Sequence, residues 1–208
     1  MRASAILLVT AIATAAAGSV VWSFSSVSAR GGDPAPVADA ANKPNPNGDL
    51  PQPPSTTHIG EVPVDLLAKH LTIPVAGIKA EELAPQFFDA RGQRGHEALD
   101  IAAPRGEPVV AVEDGTIVKL FLSKPGGITV YQFDPTEKYA YYYAHLDRYA
   151  EGLTEGDEVK RGQVLGYVGS TGNANPLSPH LHFAIFLLGP EKKWWRGEAL
   201  DPYPAFKQ

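Results

Sequence analysis

The chain has 208 residues, 44% of them hydrophobic, which is enough for one ordinary globular domain with its own core. Its formal net charge of −5, from 18 basic and 23 acidic residues, offers no basic excess for nucleic acid or anionic lipid. It contains no cysteine, which excludes thiolate metal sites, disulfides, a cysteine nucleophile and a lipid-bearing N-terminal cysteine, so any metal must be held by His, Asp or Glu.

Residues 1–29 read as an export segment. Met1-Arg2 is a minimal positive start, the run over residues 5–22 carries no charge, and "SFSSVSA" places Val27 and Ala29 as a cleavage site. The apolar run is long for a signal core and short for a comfortable membrane span. Two readings therefore stand, a cleaved signal peptide or an uncleaved anchor attaching the chain to the inner membrane through residues 5–22. Both deliver the rest of the chain to the periplasm or cell envelope. Residues 30–57 are rich in Pro, Gly, Asn and Asp and nearly free of large apolar side chains, so they are expected to form a disordered tether.

Residues 58–84 form an N-terminal extension. Val64, Leu67 and Leu71 fall near helical spacing, and "LTIPVAGI" follows, so a short helix and a lead-in strand are expected. From residue 85 to 208 the pattern is β. "EPVVAVEDGTIVKLFL" turns at Asp114-Gly115, "GITVYQFDPTEKYAYYYAHL" turns at "DPTEK", and glycines punctuate "EGLTEGDEVKRGQVLGYVGSTG". "KKWWRGEALDPYPAF" is expected to close the sheet. The fold class is mainly β, a compact antiparallel β-barrel or sandwich with a short N-terminal helical extension.

The histidines divide into two groups. His58 and His70 have no acidic or histidine partner at useful spacing and read as structural or solvent-exposed. The other four lie in the β region. In "GHEALD", His96 and Asp100 would share one face of an extended chain, with Leu99 and Ile101 turned to the core. In "YAYYYAHLD", alternation puts Tyr139, Tyr141, Tyr143 and His145 on one face, so Tyr141 and Tyr143 are candidates to line a cleft. In "SPHLHFAIF", His180 and His182 share a face while Leu181, Phe183 and Ile185 anchor the opposite one. Two imidazoles side by side in an apolar strand demand partners. Two His and one carboxylate are a common catalytic zinc set that leaves one coordination position open.

These motifs resemble the lysostaphin-type, LytM-like zinc metallopeptidases, which cut the peptide part of peptidoglycan. The resemblance spans roughly residues 70–205 and rests on "HEALD", "YAHL" and "HLH" in the family's order, with similar glycine-spaced filler between them. It implies a barrel-sandwich-hybrid-like, duplicated-hybrid-motif fold. It implies one zinc ion per chain on His96, Asp100 and His182, with His180 as general base or water-orienting group. His145 would stabilise the oxyanion or share the proton transfers. The implied protein is an exported zinc metallo-endopeptidase acting on peptidoglycan stem peptides or cross-bridges. The alternative is a catalytically inactive envelope protein of the same fold that binds or activates another cell-wall hydrolase. Ala98 stands where active members often carry glycine, which matters if that position needs positive φ. "GDEVKRGQVLGYVG" also resembles half of a biotinyl or lipoyl carrier, but Lys160 is not placed at a turn tip as a carrier lysine must be. Trp194 and Trp195 are read first as sheet packing and edge cover, and second as groove residues.

Overall fold

The computed structural model of the protein describes residues 62–91 and 94–207. The export segment, the tether, His58 and the attachment expected through residues 5–22 lie outside the described residues. Among the described residues, no helix is long and apolar enough to cross a membrane.

A single helical turn, α1 (Val64–Leu67), opens the described chain. The strands follow as β1 (Ala90–Arg91), β2 (Arg94–Gly95), β3 (Leu99–Ala102), β4 (Pro108–Val110), β5 (Gly115–Ser123), β6 (Gly127–Phe133), β7 (Tyr139–Tyr149), β8 (Glu158–Val159), β9 (Val164–Val168), β10 (His180–Leu188) and β11 (Gly197–Leu200). Strands β11, β10, β7, β6, β5 and β8 lie side by side, each pair antiparallel. The expected antiparallel, mainly β fold is thus observed, in the form of an open sheet with few helical turns.

Two long strands organise the sheet by changing partners along their length. On one edge β10 holds β3 over residues 180–183 and then β11 over 185–188. On its other edge it runs along the first half of β7, whose second half turns to β9. β6 and β7 are joined at "DPTEK" because Asp134 organises the turn. Its carboxylate accepts the Thr136 hydroxyl at 2.6 Å and the backbone N–H groups of Lys138 and Tyr139 at 2.7 Å each.

The main core lies against one sheet face, where Tyr139, Tyr141, Tyr143, Phe183, Leu181 and Ile185 are fully buried. The phenol hydroxyls there need partners. Tyr141 donates to Glu113, and Tyr143 donates to Gln132 Oε1 at 2.7 Å and accepts from the Val112 N–H at 3.1 Å. Lys69 closes this polar network, with Nζ 3.1 Å from Glu113 and 3.0 Å from Asp134.

The N-terminal extension differs from its sequence pattern. Val64 is 80% exposed, and Leu66, not Val64 or Leu67, is the buried residue of the turn. Four residues are too few for a helical stripe to develop. No lead-in strand forms either, because only Val75 bridges, to Val109. Leu66, Leu71, Val75 and Leu83 nevertheless enter the main core. The described part of the extension therefore supports the sheet from behind.

Candidate active site

The opposite sheet face carries the chemistry. Register places Asp100 opposite His182 across β3 and β10, and His182 opposite Ala144 across β10 and β7. The small side chains Ala144, Ala184 and Ala98 are buried in a layer with Tyr131 and Tyr142. This layer leaves room above it for a cleft of about 780 Å³ lined by His96, Asp100, His145, His180 and His182. All five residues singled out in the sequence meet there. Trp194, Trp195 and Phe186 form an apolar wall, while Asn173, Asn175 and Arg196 contribute polar groups. No described residue of 58–84 lines the cleft.

The three expected ligands converge closely. His96 Nε2 is 3.0 Å from Asp100 Oδ1, His182 Nδ1 is 2.9 Å from the same oxygen, and the two ring nitrogens are 3.3 Å apart. These donor atoms lie within 4.8 Å of one another, close enough to hold one metal ion. Protonation gives a further test of fit. His96 Nδ1 lies 3.2 Å from the backbone carbonyl of Gln86. A carbonyl only accepts, so Nδ1 carries a proton, and the neutral tautomer this selects turns an Nε2 lone pair toward the carboxylate. A cation satisfies such an arrangement of acceptors, and two imidazoles with one carboxylate suit zinc.

The two remaining histidines are held in the same way. His180 Nδ1 donates to the Ser178 carbonyl at 2.9 Å, and His145 Nδ1 to the Thr171 carbonyl at 2.8 Å. Each keeps its Nε2 lone pair for the cleft. The His145 ring centroid is 5.0 Å from that of His180 and 5.6 Å from that of His182. Burial and the neighbouring His182 push the His145 pKa down to about 4. Burial likewise lowers His182, against the pull of Asp100. For Asp100, burial alone would raise the pKa, but the neighbouring His182 and His96 outweigh it and hold the carboxyl well below the usual carboxylate range.

Local backbone geometry corrects three sequence expectations. First, residues 96–98 are not strand, and Glu97 has φ +54°. His96 and Asp100 are brought together by a left-handed step followed by β3, not by a continuous extended run. Second, the positive φ falls on Glu97 and not on Ala98, whose methyl is fully buried in the layer beneath the cleft. Alanine is thus unstrained there. Third, Tyr141 and Tyr143 do not share the His145 face. His145 has φ +59°, and the pairing of β7 shifts register against β6 between Tyr143 and Leu146, then against β9 between Leu146 and Arg148. Such a bulge breaks alternation. It swings His145 to the side of Tyr142, which lines the cleft, while Tyr141 and Tyr143 stay in the core.

Two glycines let the segment that carries the Thr171 carbonyl close against the start of β6. A Cβ on Gly127 would stand 2.2 Å from Thr171 Oγ1, and one on Gly172 would stand 2.3 Å from the Pro125 carbonyl oxygen. Both also have positive φ, +65° and +74°. Sequence reasoning missed Gln86, Tyr142, and the carbonyls of Thr171 and Ser178. A backbone carbonyl leaves no signature in residue type. Trp194 packs on Phe121 and Tyr131, with centroids at 5.5 and 4.8 Å, and both tryptophans also face the cleft.

Comparison with known proteins was consistent across sequence and structure. The model of Peptidase family M23 matches residues 94–202. The L-Ala–D-Glu endopeptidase of Bacillus subtilis is 36% identical over 127 residues, covering 57% of this chain and 37% of that protein. The peptidoglycan DD-endopeptidase ShyC of Vibrio cholerae is 33% identical over 99 residues, covering 48% of this chain and 22% of its own. This chain thus spans well under half the length of either relative. The crystallised catalytic domain of the antimicrobial peptidase lysostaphin, from Staphylococcus simulans, superimposes with a TM-score of 0.52 at 26% identity, covering 71% of this chain and 100% of that domain.

Proposed function

The chain belongs to peptidase family M23, and from that premise we propose that it is an exported, zinc-dependent endopeptidase hydrolysing peptide bonds of peptidoglycan, in stem peptides or cross-bridges. The observation that carries this reading is the meeting of His96, Asp100 and His182 within 4.8 Å, with two further imidazoles beside them. The relatives are named as endopeptidases, one of them of peptidoglycan. A substrate of that kind lies outside the cytoplasm, in keeping with the export segment read over residues 1–29.

His96 Nε2, Asp100 Oδ1 and His182 Nδ1 would hold the zinc. Zinc supplies Lewis acidity, polarising a carbonyl and lowering the pKa of water toward ~7. His180, fixed by Ser178, presents Nε2 at 3.9 Å from Asp100 Oδ1. It accepts the water proton there and returns it to the leaving amine. His145, fixed by Thr171, likewise offers an acceptor nitrogen. Of the two roles expected for it, sharing the proton transfers is the one this hydrogen bonding favours, because it must gain a proton before it can donate to an oxyanion. The aromatic wall of Trp194, Trp195 and Phe186 keeps one side of the cleft apolar and gives a peptide backbone a surface to lie on.

The inactive-activator reading is not favoured. It calls for a degraded site, whereas all five side chains are present and Ala98 is accommodated without strain. The test is zinc content together with release of new peptide ends from isolated peptidoglycan, with and without chelator. About one zinc per chain with chelator-sensitive release supports the enzyme. Bound zinc without release on any peptidoglycan chemotype would sink it in favour of the activator.

A further inference from the structure

Gln86 touches two of the three expected ligands at once. Its backbone carbonyl accepts His96 Nδ1–H at 3.2 Å, and its side-chain Oε1 accepts the Asp100 backbone N–H at 2.9 Å. The same carbonyl accepts the Asp89 N–H at 3.0 Å, which fixes its direction and uses its second lone pair. Strand β3 explains the need for the side chain. Among the described strands it pairs only with β10, so its other edge presents backbone groups without a ladder. The Gln86 amide fills that place at the residue whose carboxylate faces His96 and His182. Gln86 also lies outside the residues 94–202 that match the family, in the stretch that links the extension to the sheet.

We propose that Gln86 is a positioning residue for the metal centre, orienting the His96 ring through its carbonyl and the Asp100 backbone through its side chain. This rests on the zinc reading above. Removing the side-chain acceptor frees the Asp100 N–H and lets β3 shift, so the carboxylate moves off the position shared with the two imidazoles. Loss of an outer partner of this kind typically lowers metal affinity by about 10- to 100-fold.

The test uses the full chain and two variants. Gln86→Met keeps the length and removes the acceptor, whereas Gln86→Glu keeps an acceptor oxygen. Zinc affinity is measured by competition with a chromogenic chelator, the visible absorption of the cobalt(II)-loaded protein reports ligand geometry, and melting of the metal-free protein reports the fold. The expected result is zinc binding roughly 10- to 100-fold weaker in Gln86→Met with an altered cobalt spectrum. Gln86→Glu should stay close to wild type, and the metal-free melting temperatures should be alike. Wild-type affinity and spectrum in Gln86→Met would overturn the proposal. So would equal losses in both variants with lowered metal-free melting, which would make Gln86 merely structural. A wild-type chain that binds no zinc would overturn the metal reading itself, and this proposal with it.

Discussion

His96 Nε2 and His182 Nδ1 stand 3.3 Å apart although 86 residues separate them in the chain. Asp100 Oδ1 lies about equally close to both. On the zinc reading proposed above, His182 and its neighbour His180 have different duties. His182→Ala removes a ligand, so zinc content and peptide release should fall together. His180→Ala should keep zinc and lose most turnover, by ~10²–10⁴-fold as expected for general acid–base steps. Metal analysis beside a turnover assay separates the two. An empty site in His180→Ala would reverse the assignment within "HLH".

Chelation should abolish activity and leave the fold standing. The main core lies on the sheet face away from the cleft and includes Tyr141, Phe183 and Ile185. Circular dichroism should therefore be almost unchanged after treatment with chelator, and readdition of about one equivalent of zinc should restore peptide release. Unfolding on chelation would show that the metal is structural.

Gly172→Ala should act on His145 from a distance. The new Cβ would stand 2.3 Å from the Pro125 carbonyl oxygen, at φ +74°. Thr171, whose carbonyl holds His145, must then move. A stability loss of about 1–3 kcal/mol is expected from the overpacking, together with reduced turnover at unchanged zinc content. Urea melts and metal analysis check both halves. Full turnover would show that the Thr171 carbonyl does not govern His145.

Lys69→Met should destabilise the protein without touching the cleft. Glu113 and Asp134 are 6% and 2% exposed, and Lys69 is their shared cation. Leaving buried carboxylates unpaired costs on the order of 3 kcal/mol. The loss should depend on pH. Burial raises the Asp134 pKa, but Thr136, the Tyr139 backbone and Lys69 outweigh it and hold the carboxyl below its ordinary 3.8. A depressed carboxylate contributes stability that is full above the unfolded value and is lost as pH falls through the folded one. The gap between wild type and Lys69→Met should therefore be widest near neutrality and begin to narrow as pH falls below about 4. Urea midpoints at pH 7 and pH 3 check this, and a gap that widened in acid would contradict it.

Local chemistry made much of the site legible. "HLH" followed by Phe183 and Ile185 declared a strand with imidazoles on one face and core on the other, because side-chain alternation is a local property of the backbone. "DPTEK" declared its turn because Asp134 bonds to residues within reach of its own side chain. The N-terminal extension was read less well. Val64, Leu67 and Leu71 suggested a buried stripe, yet the helix stops after one turn and Leu66 turns inward, since docking on the sheet and not helical period decides burial there.

The sequence by itself determined the residue types of the site, their order, and the antiparallel β character of the chain. Alternating apolar residues, turn formers and short-range spacing act within a few residues, so they can be read in one dimension. Only the tertiary structure decided which side of β7 His145 occupies, because its left-handed φ sits where the pairing of β7 with β6 shifts register, and β6 is a separate strand. Only the tertiary structure brought the carbonyls of Gln86 and Thr171 to two imidazoles. Every residue has such a carbonyl, and position in space alone makes one of them an anchor.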